Sequence, residues 1–219
     1  MKRIVIFGAG GHGREVLQLL RDINAASPDA PPWHVAGFIA DAGMQSALTI
    51  HGLPMLGGLE WLTANDDVDI VVAIGAPRAR RAVVQRIEQS CGARFASLSH
   101  PRSCIGQGVE MGPGTIIFAG CVLTTDIVLG RHVHLNACCN VSHDSRLGDF
   151  TTFGPGVHTG GGVSLHEGAE MGTAGAAIPR VQIGAWSMVG AGAVVTRDLP
   201  PCVLAMGVPA RVVKSLPAP

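Results

Sequence analysis

From Ile105 to Val195 an aliphatic or small residue returns at every sixth position without a slip: Ile105, Met111, Ile117, Leu123, Leu129, Leu135, Val141, Leu147, Phe153, Thr159, Leu165, Met171, Ala177, Ile183, Val189 and Val195. A smaller companion stands two residues earlier at many of these sites, among them Cys121, Ile127, Val133, Cys139, Val157, Val163 and Val181. A period of six fits neither a helix at about 3.6 residues per turn nor a strand at 2. It fits a parallel β-helix, in which each short side uses six residues and then turns. One side cannot bury its own apolar face, so successive coils stack and share a continuous core. Three sides close a turn of eighteen, so positions eighteen apart lie above one another. Five turns make a column of roughly 24 Å at about 4.8 Å per layer. Glycine follows nine of the sixteen inward residues directly. It is expected to serve the corners, where φ is often positive.

Residues 1–98 follow another pattern. Lys2–Phe7 reads as a strand and Gly8–Gly13 as a glycine turn. Val16, Leu19, Leu20 and Ile23 then recur at helical spacing. Strand character returns at His34–Ile39, at Asp69–Ile74 and near Arg94–Leu98, with an amphipathic helix over Arg78–Gln89 started by Pro77. Strand and helix alternate, which predicts a small Rossmann-like parallel sheet. The chain is thus expected to be α/β plus β-solenoid, with domains at 1–98 and 99–219. The repeat is expected to stop at Arg197–Pro201, where Pro200 and Pro201 cannot donate to the ladder. The tail Cys202–Lys214 would fold back as a cap over the open strand edge.

Several function classes are disfavoured. Hydrophobic residues make up 47% of the 219 and charged ones 15%, yet no apolar run is long enough for a membrane span. The excess suits a solenoid core and a buried oligomer face. Zero net charge and nine aromatics without a tyrosine argue against a nucleic-acid surface. The N-terminus lacks the long apolar stretch of a signal peptide. Six cysteines without a CxxC pair point to a reducing, cytoplasmic setting.

Three motifs carry chemistry. Gly8-Ala-Gly10-Gly11-His12-Gly13 satisfies G-x-G-x-x-G between a strand and a helix. Its N–H groups and the helix N-terminus suit a phosphate. A nucleotide or nucleotide sugar, a dinucleotide, and a purely structural turn all remain open. About 98 residues hold only one mononucleotide-binding half, and the acidic residue after the second strand, Asp41, comes thirty-three positions beyond Gly8. Gly75-Ala-Pro77-Arg78, after the third strand, faces the same sheet edge. The second motif is Asn140-Val-Ser-His143-Asp144. With Val141 inward, His143 and Asp144 fall on a corner, where a carboxylate can fix the imidazole tautomer for general-base work. A solvated surface histidine is the bland alternative. His132, His134 and His158 lack the spacing of a metal site, and none is expected. The third motif supplies Arg197 and Arg211 at the end of the repeat. They either serve the last turn and its cap or meet the phosphates of a coenzyme A.

Taken together, the chain resembles the bacterial hexapeptide-repeat sugar acetyltransferases: the bacillosamine-pathway and perosamine N-acetyltransferases and the sialic acid O-acetyltransferases. The likeness is carried by IVIFGAGGHGREV at Ile4–Val16, GLPMLGG at Gly52–Gly58, VAIGAPRAR at Val72–Arg80, SHDSRLGDF at Ser142–Phe150, and VGAGAVVTRDLP followed by GVPAR. It implies a left-handed column and a homotrimer with acetyl-CoA in the groove between columns. It implies His143 as the base and Asp144 as the group that raises its basicity, in a position where many relatives have Glu. Thr152 stands where some relatives place a second histidine, and Thr173 and Ala191 would line the coenzyme path. Gly10, Gly11, His12, Asp41 and Gly75 would hold a nucleotide-linked amino sugar. The expected reaction is direct acetylation of the 4-amino group of a 4-amino-4,6-dideoxy sugar, without a covalent acyl-enzyme. A sugar O-acetyltransferase, a non-catalytic nucleotide-binding solenoid and an NAD-dependent enzyme are the rival readings.

Overall fold

The computed structural model describes residues 1–43 and 48–219. It divides into two compact units, Met1–Pro101 and Arg102–Pro219, so the division falls three residues beyond the boundary expected from the sequence.

The first unit is built on β1 (Lys2–Phe7), α1 (Gly11–Ala25), β2 (Trp33–Ile39), β3 (Thr49–Ile50), β4 (Leu53–Gly57), α2 (Leu59–Thr63), β5 (Asp69–Val72), α3 (Pro77–Ser90) and β6 (Arg94–Phe95). The sheet order is β3-β4-β2-β1-β5-β6, parallel throughout except for the edge strand β3. Ile4, Val5 and Ile6 are fully buried, as a strand covered on both faces requires. Helix α1 buries Val16, Leu17, Leu19 and Leu20. Strands β3 and β4 and helix α2 were not expected. They are two to five residues long and punctuated by Gly52, Pro54, Gly57 and Gly58, so their local pattern reads as a loop. Only pairing makes strands of β3 and β4: β4 lies along β2, and β3 folds back on β4.

The second unit is a three-sided parallel column. One side stacks Cys104–Ile105, Val122–Leu123, Asn140–Val141, His158–Thr159, Ala176–Ala177 and Val194–Val195. The next stacks Glu110–Met111, Val128–Leu129, Arg146–Leu147, Ser164–Leu165 and Gln182–Ile183. The third carries Ile116–Ile117, His134–Leu135, Thr152–Phe153, Glu170–Met171 and Met188–Val189. Partners are eighteen residues apart, as in Leu135↔Phe153 and Val141↔Thr159. The inward residues form one continuous apolar core. Cys121 and Cys139 pack inside it as thiols.

Two expectations about the column need correction. The glycine after each inward residue does not supply the positive φ. That falls two residues later, at every sixth position from Gly108 to Gly192, and eight of those residues are not glycine, among them Asp126, His132, Asp144, Phe150 and Trp186. The earlier glycine is needed because backbones pass too closely there: a Cβ at Gly172 would meet Ala191 N at 2.7 Å, and one at Gly148 would meet Glu167 N at 2.8 Å. The prolines also do not stop the ladder. The turn shortens before them, between Val195, eighteen residues from Ala177, and Leu199, which bridges Ile183 sixteen residues away; Val203–Met206 then continues the third side with Met188↔Leu204, also sixteen apart. Ser187 Oγ donates to the Pro200 carbonyl at 2.7 Å, tying the shortened turn down. Arg211–Ser215 then folds back antiparallel on Val203–Met206, so the tail does return on itself.

Candidate active site

On the column, Val141 is fully buried and turns the next residues outward at the corner. Asp144 follows in the left-handed region, φ 59°, a conformation that Asp tolerates better than most residues. His143 Nδ1 donates to Asp144 Oδ2 at 2.8 Å, since an ionised carboxylate can only accept. In the neutral ring this bond keeps the proton on Nδ1 and leaves Nε2 bare, the form a general base requires. The two side chains are 62% and 71% exposed, so the pair stands at the surface of a single column. The carbonyl of His143 accepts the Gly162 N–H at 2.8 Å, which fixes the corner to the coil above.

The same corner climbs through Gly161, where the Arg180 N–H meets the Gly161 carbonyl at 3.0 Å, to Pro179. The exposed Arg197 lies in the shortened last turn, between Val195, still eighteen residues from Ala177, and Leu199, sixteen from Ile183. Thr173 and Ala191 are exposed but sit on the next edge, stacked through Gly192 N–H to the Thr173 carbonyl at 2.8 Å. One column thus brings His143 and Asp144 to one edge and keeps Thr173 and Ala191 on another. Thr152, expected on the coenzyme path, is 5% exposed on a flat side and offers little surface to a ligand. Arg211 is exposed on the returning strand, with Nη1 donating to the Ala210 carbonyl at 2.9 Å.

In the first unit, β2 and β5 flank β1 on opposite sides, so the chain reverses its direction across the sheet between β1 and β5. Such a switch point opens a crevice at the carboxyl ends of the strands. Gly8 leaves β1 with φ +117°, and a Cβ there would meet the Ala73 carbonyl oxygen at 2.7 Å. A Cβ at Gly13 would strike the Gly8 carbonyl, so this glycine lets α1 pack onto the strand end. Gly10 and Gly75 have open space beside them, and Gly10 caps α1 without a side chain. The loop therefore presents bare backbone at a helix N-terminus, suited to an anion.

His12 Nδ1 lies 3.0 Å from Glu15 Oε2, and burial lowers its pKa below the usual histidine value, against the opposing pull of Glu15. Arg80 is fully buried, and its Nη1 donates to the carbonyls of Ile74 and Gly75, each at 2.8 Å. It holds the loop after β5 in shape. Asp41 is paired, Arg86 Nη2 reaching both its oxygens at 2.8 and 2.9 Å, and its side chain remains 45% exposed. Neither arginine was expected at the site from the sequence. Arg80 was legible as a charge in line with the buried Val83, Val84 and Ile87 of α3. Arg86, forty-five residues from Asp41, had no local signal.

A family model described as the PglD N-terminal domain matches residues 3–87. The GDP-perosamine N-acetyltransferase of Escherichia coli O157:H7 is 30% identical over 169 residues, covering 77% of this chain and 74% of that protein. The chain belongs to the hexapeptide-repeat sugar acetyltransferases. The structure of PerB from Caulobacter crescentus, in complex with CoA and GDP-perosamine, is 33% identical to this acetyltransferase with a TM-score of 0.85, covering 96% of this chain and 97% of that one. The acetyltransferase domain of PglB from Neisseria gonorrhoeae FA1090, in complex with acetyl coenzyme A, is 27% identical with a TM-score of 0.85, covering 97% and 99%. Among the described residues no group of His, Cys, Asp and Glu could hold a metal ion, and no helix is long and apolar enough to cross a membrane.

Proposed function

We propose that this acetyltransferase moves the acetyl group of acetyl-CoA to the 4-amino group of a 4-amino-4,6-dideoxy sugar linked to UDP or GDP, of the perosamine or bacillosamine type. The observation that carries the reading is the His143–Asp144 pair, whose 2.8 Å bond leaves Nε2 bare on an accessible corner. The amine nitrogen attacks the thioester carbonyl, and His143 Nε2 takes the proton that nitrogen sheds. Asp144 stabilises the imidazolium that forms. A backbone N–H steadies the oxyanion until the C–S bond breaks and the thiolate leaves, taking up the proton. Arg197 and Arg211 meet the coenzyme's phosphates. The glycine loop, with Gly10, Gly11, His12 and Gly75, holds the diphosphate of the sugar nucleotide. Asp41, paired with Arg86 and still partly exposed, meets the nucleoside.

Thr173 and Ala191 lie on a different edge from His143, so a groove with both walls needs a second column. This supports a homotrimer with acetyl-CoA between neighbouring columns. Six free cysteines suit work in the cytoplasm, where nucleotide sugars for polysaccharides are finished. The test is His143→Ala. General-base assistance is worth about 10²–10⁴-fold, so kcat should fall by that order while acetyl-CoA binding persists. Activity within tenfold of the parent enzyme would end the proposal. A panel of UDP- and GDP-linked amino and hydroxy sugars, read by CoA release, identifies the acceptor and separates N- from O-acetylation.

A further inference from the structure

We infer that Gly161 is a positioning residue: its bare Cα is the seat for the His143 imidazole and, with Asp144, fixes the direction of Nε2. The inference rests on the reading of His143 as the base. A Cβ at Gly161 would lie 2.5 Å from Cε1, 2.6 Å from Nε2 and 3.0 Å from Nδ1 of His143, so the ring rests against the underside of this one residue. The backbone does not demand glycine here. The left-handed residue of the corner is the next one, Gly162, at φ +69°. Nor does the corner demand it, because the matching positions of other coils hold Gln107, Thr125, His143 and Pro179. Among these stacked sites glycine stands only where the imidazole of the coil below comes to rest.

Two restraints then define the ring. Asp144 Oδ2 holds one edge through Nδ1, and Gly161 sets the plane. The side chain is otherwise 62% exposed, with little else to stop it from turning. A methyl group at 161 cannot share this space. The imidazole is the end of a rotatable side chain, so it swings away while the backbone stays. Displacing a catalytic group by about 1 Å costs on the order of 10²-fold in rate.

The test is Gly161→Ala, alone and with His143→Ala. The single variant should keep its thermal midpoint and its KM for acetyl-CoA within twofold, lose about 10- to 100-fold in kcat, and show displaced His143 ring signals in nitrogen-15 NMR. In the His143→Ala background, adding Gly161→Ala should change kcat by less than twofold. Pro179→Ala, one layer farther along the corner, should leave kcat unchanged. An active Gly161→Ala enzyme with unmoved ring signals would overturn the inference. So would an equal loss in the His143→Ala background, which would mean that Gly161 acts on something other than the ring. A Gly161→Ala chain that fails to fold would make the glycine a requirement of the corner and also overturn it. If His143→Ala alone proves active, the base assignment falls, and the ring signals still decide whether Gly161 is the seat.

Discussion

Asp144 combines a backbone duty with a chemical one, and three substitutions separate them. Its φ of 59° is left-handed, and its carboxylate holds His143 Nδ1 at 2.8 Å. Stability should follow the backbone alone. Exposed ion pairs contribute about 0–1 kcal/mol, so Asp144→Asn and Asp144→Gly should leave the column's melting midpoint nearly unchanged. Asp144→Ala keeps a Cβ without a polar group to support the left-handed turn, at a cost of about 1–2 kcal/mol. The column unfolds with an entropy of about 0.25 kcal/mol per kelvin, so that cost is a fall of roughly 4–8 °C. Activity should follow the carboxylate. Two unit charges 2.8 Å apart in water attract by about 1.5 kcal/mol, close to tenfold in rate. Loss of the fixed tautomer adds to this, so all three variants should fall together by about 10- to 100-fold in kcat. The assays are differential scanning calorimetry and CoA release at saturating acetyl-CoA. If Asp144→Asn keeps more than half of the parent kcat, or if kcat tracks the midpoint across the series, the reasoning is wrong.

Phe153 is fully buried between Leu135 and Met171 on the third side, so Phe153→Ala should cost about 3–5 kcal/mol and lower the column's midpoint by roughly 12–20 °C; a fall under 4 °C would show that the inward register is misread. Burial holds the pKa of His12 below 6.5, so on acidification the unfolded chain binds a proton that the folded one resists. Stability of the first unit should therefore rise with pH through the window just below 6.5 and be lost as pH falls through it. Denaturant titrations between pH 7.5 and 5.5 should show this slope, and His12→Gln should flatten it; an unchanged slope in the variant would remove His12 from the account.

Much of the molecule was legible without coordinates. The helices α1 and α3 and the central strands declare themselves because each buries one face, and burial leaves a period in the residue types. Strands β3 and β4 do not, because at two and five residues they hold no period. At the site, adjacency made His143 and Asp144 readable as a pair. Gly161 was within reach, since eighteen residues place it above His143, but nothing in a glycine announces that a ring lies on it.

The six-residue period by itself determined a three-sided column, its eighteen-residue register and the corner that carries His143, because an apolar residue recurring that way can be buried only by stacking coils. Tertiary structure alone decided which atoms face one another. It showed which glycines relieve a close approach and which residues bear the left-handed turn. It showed that Arg86 holds Asp41, that Arg80 sits under Gly75, and that Thr173 and His143 stand on different edges. Such choices depend on distances of a few ångströms between residues far apart in the chain, and a pattern of residue types along one strand does not encode them.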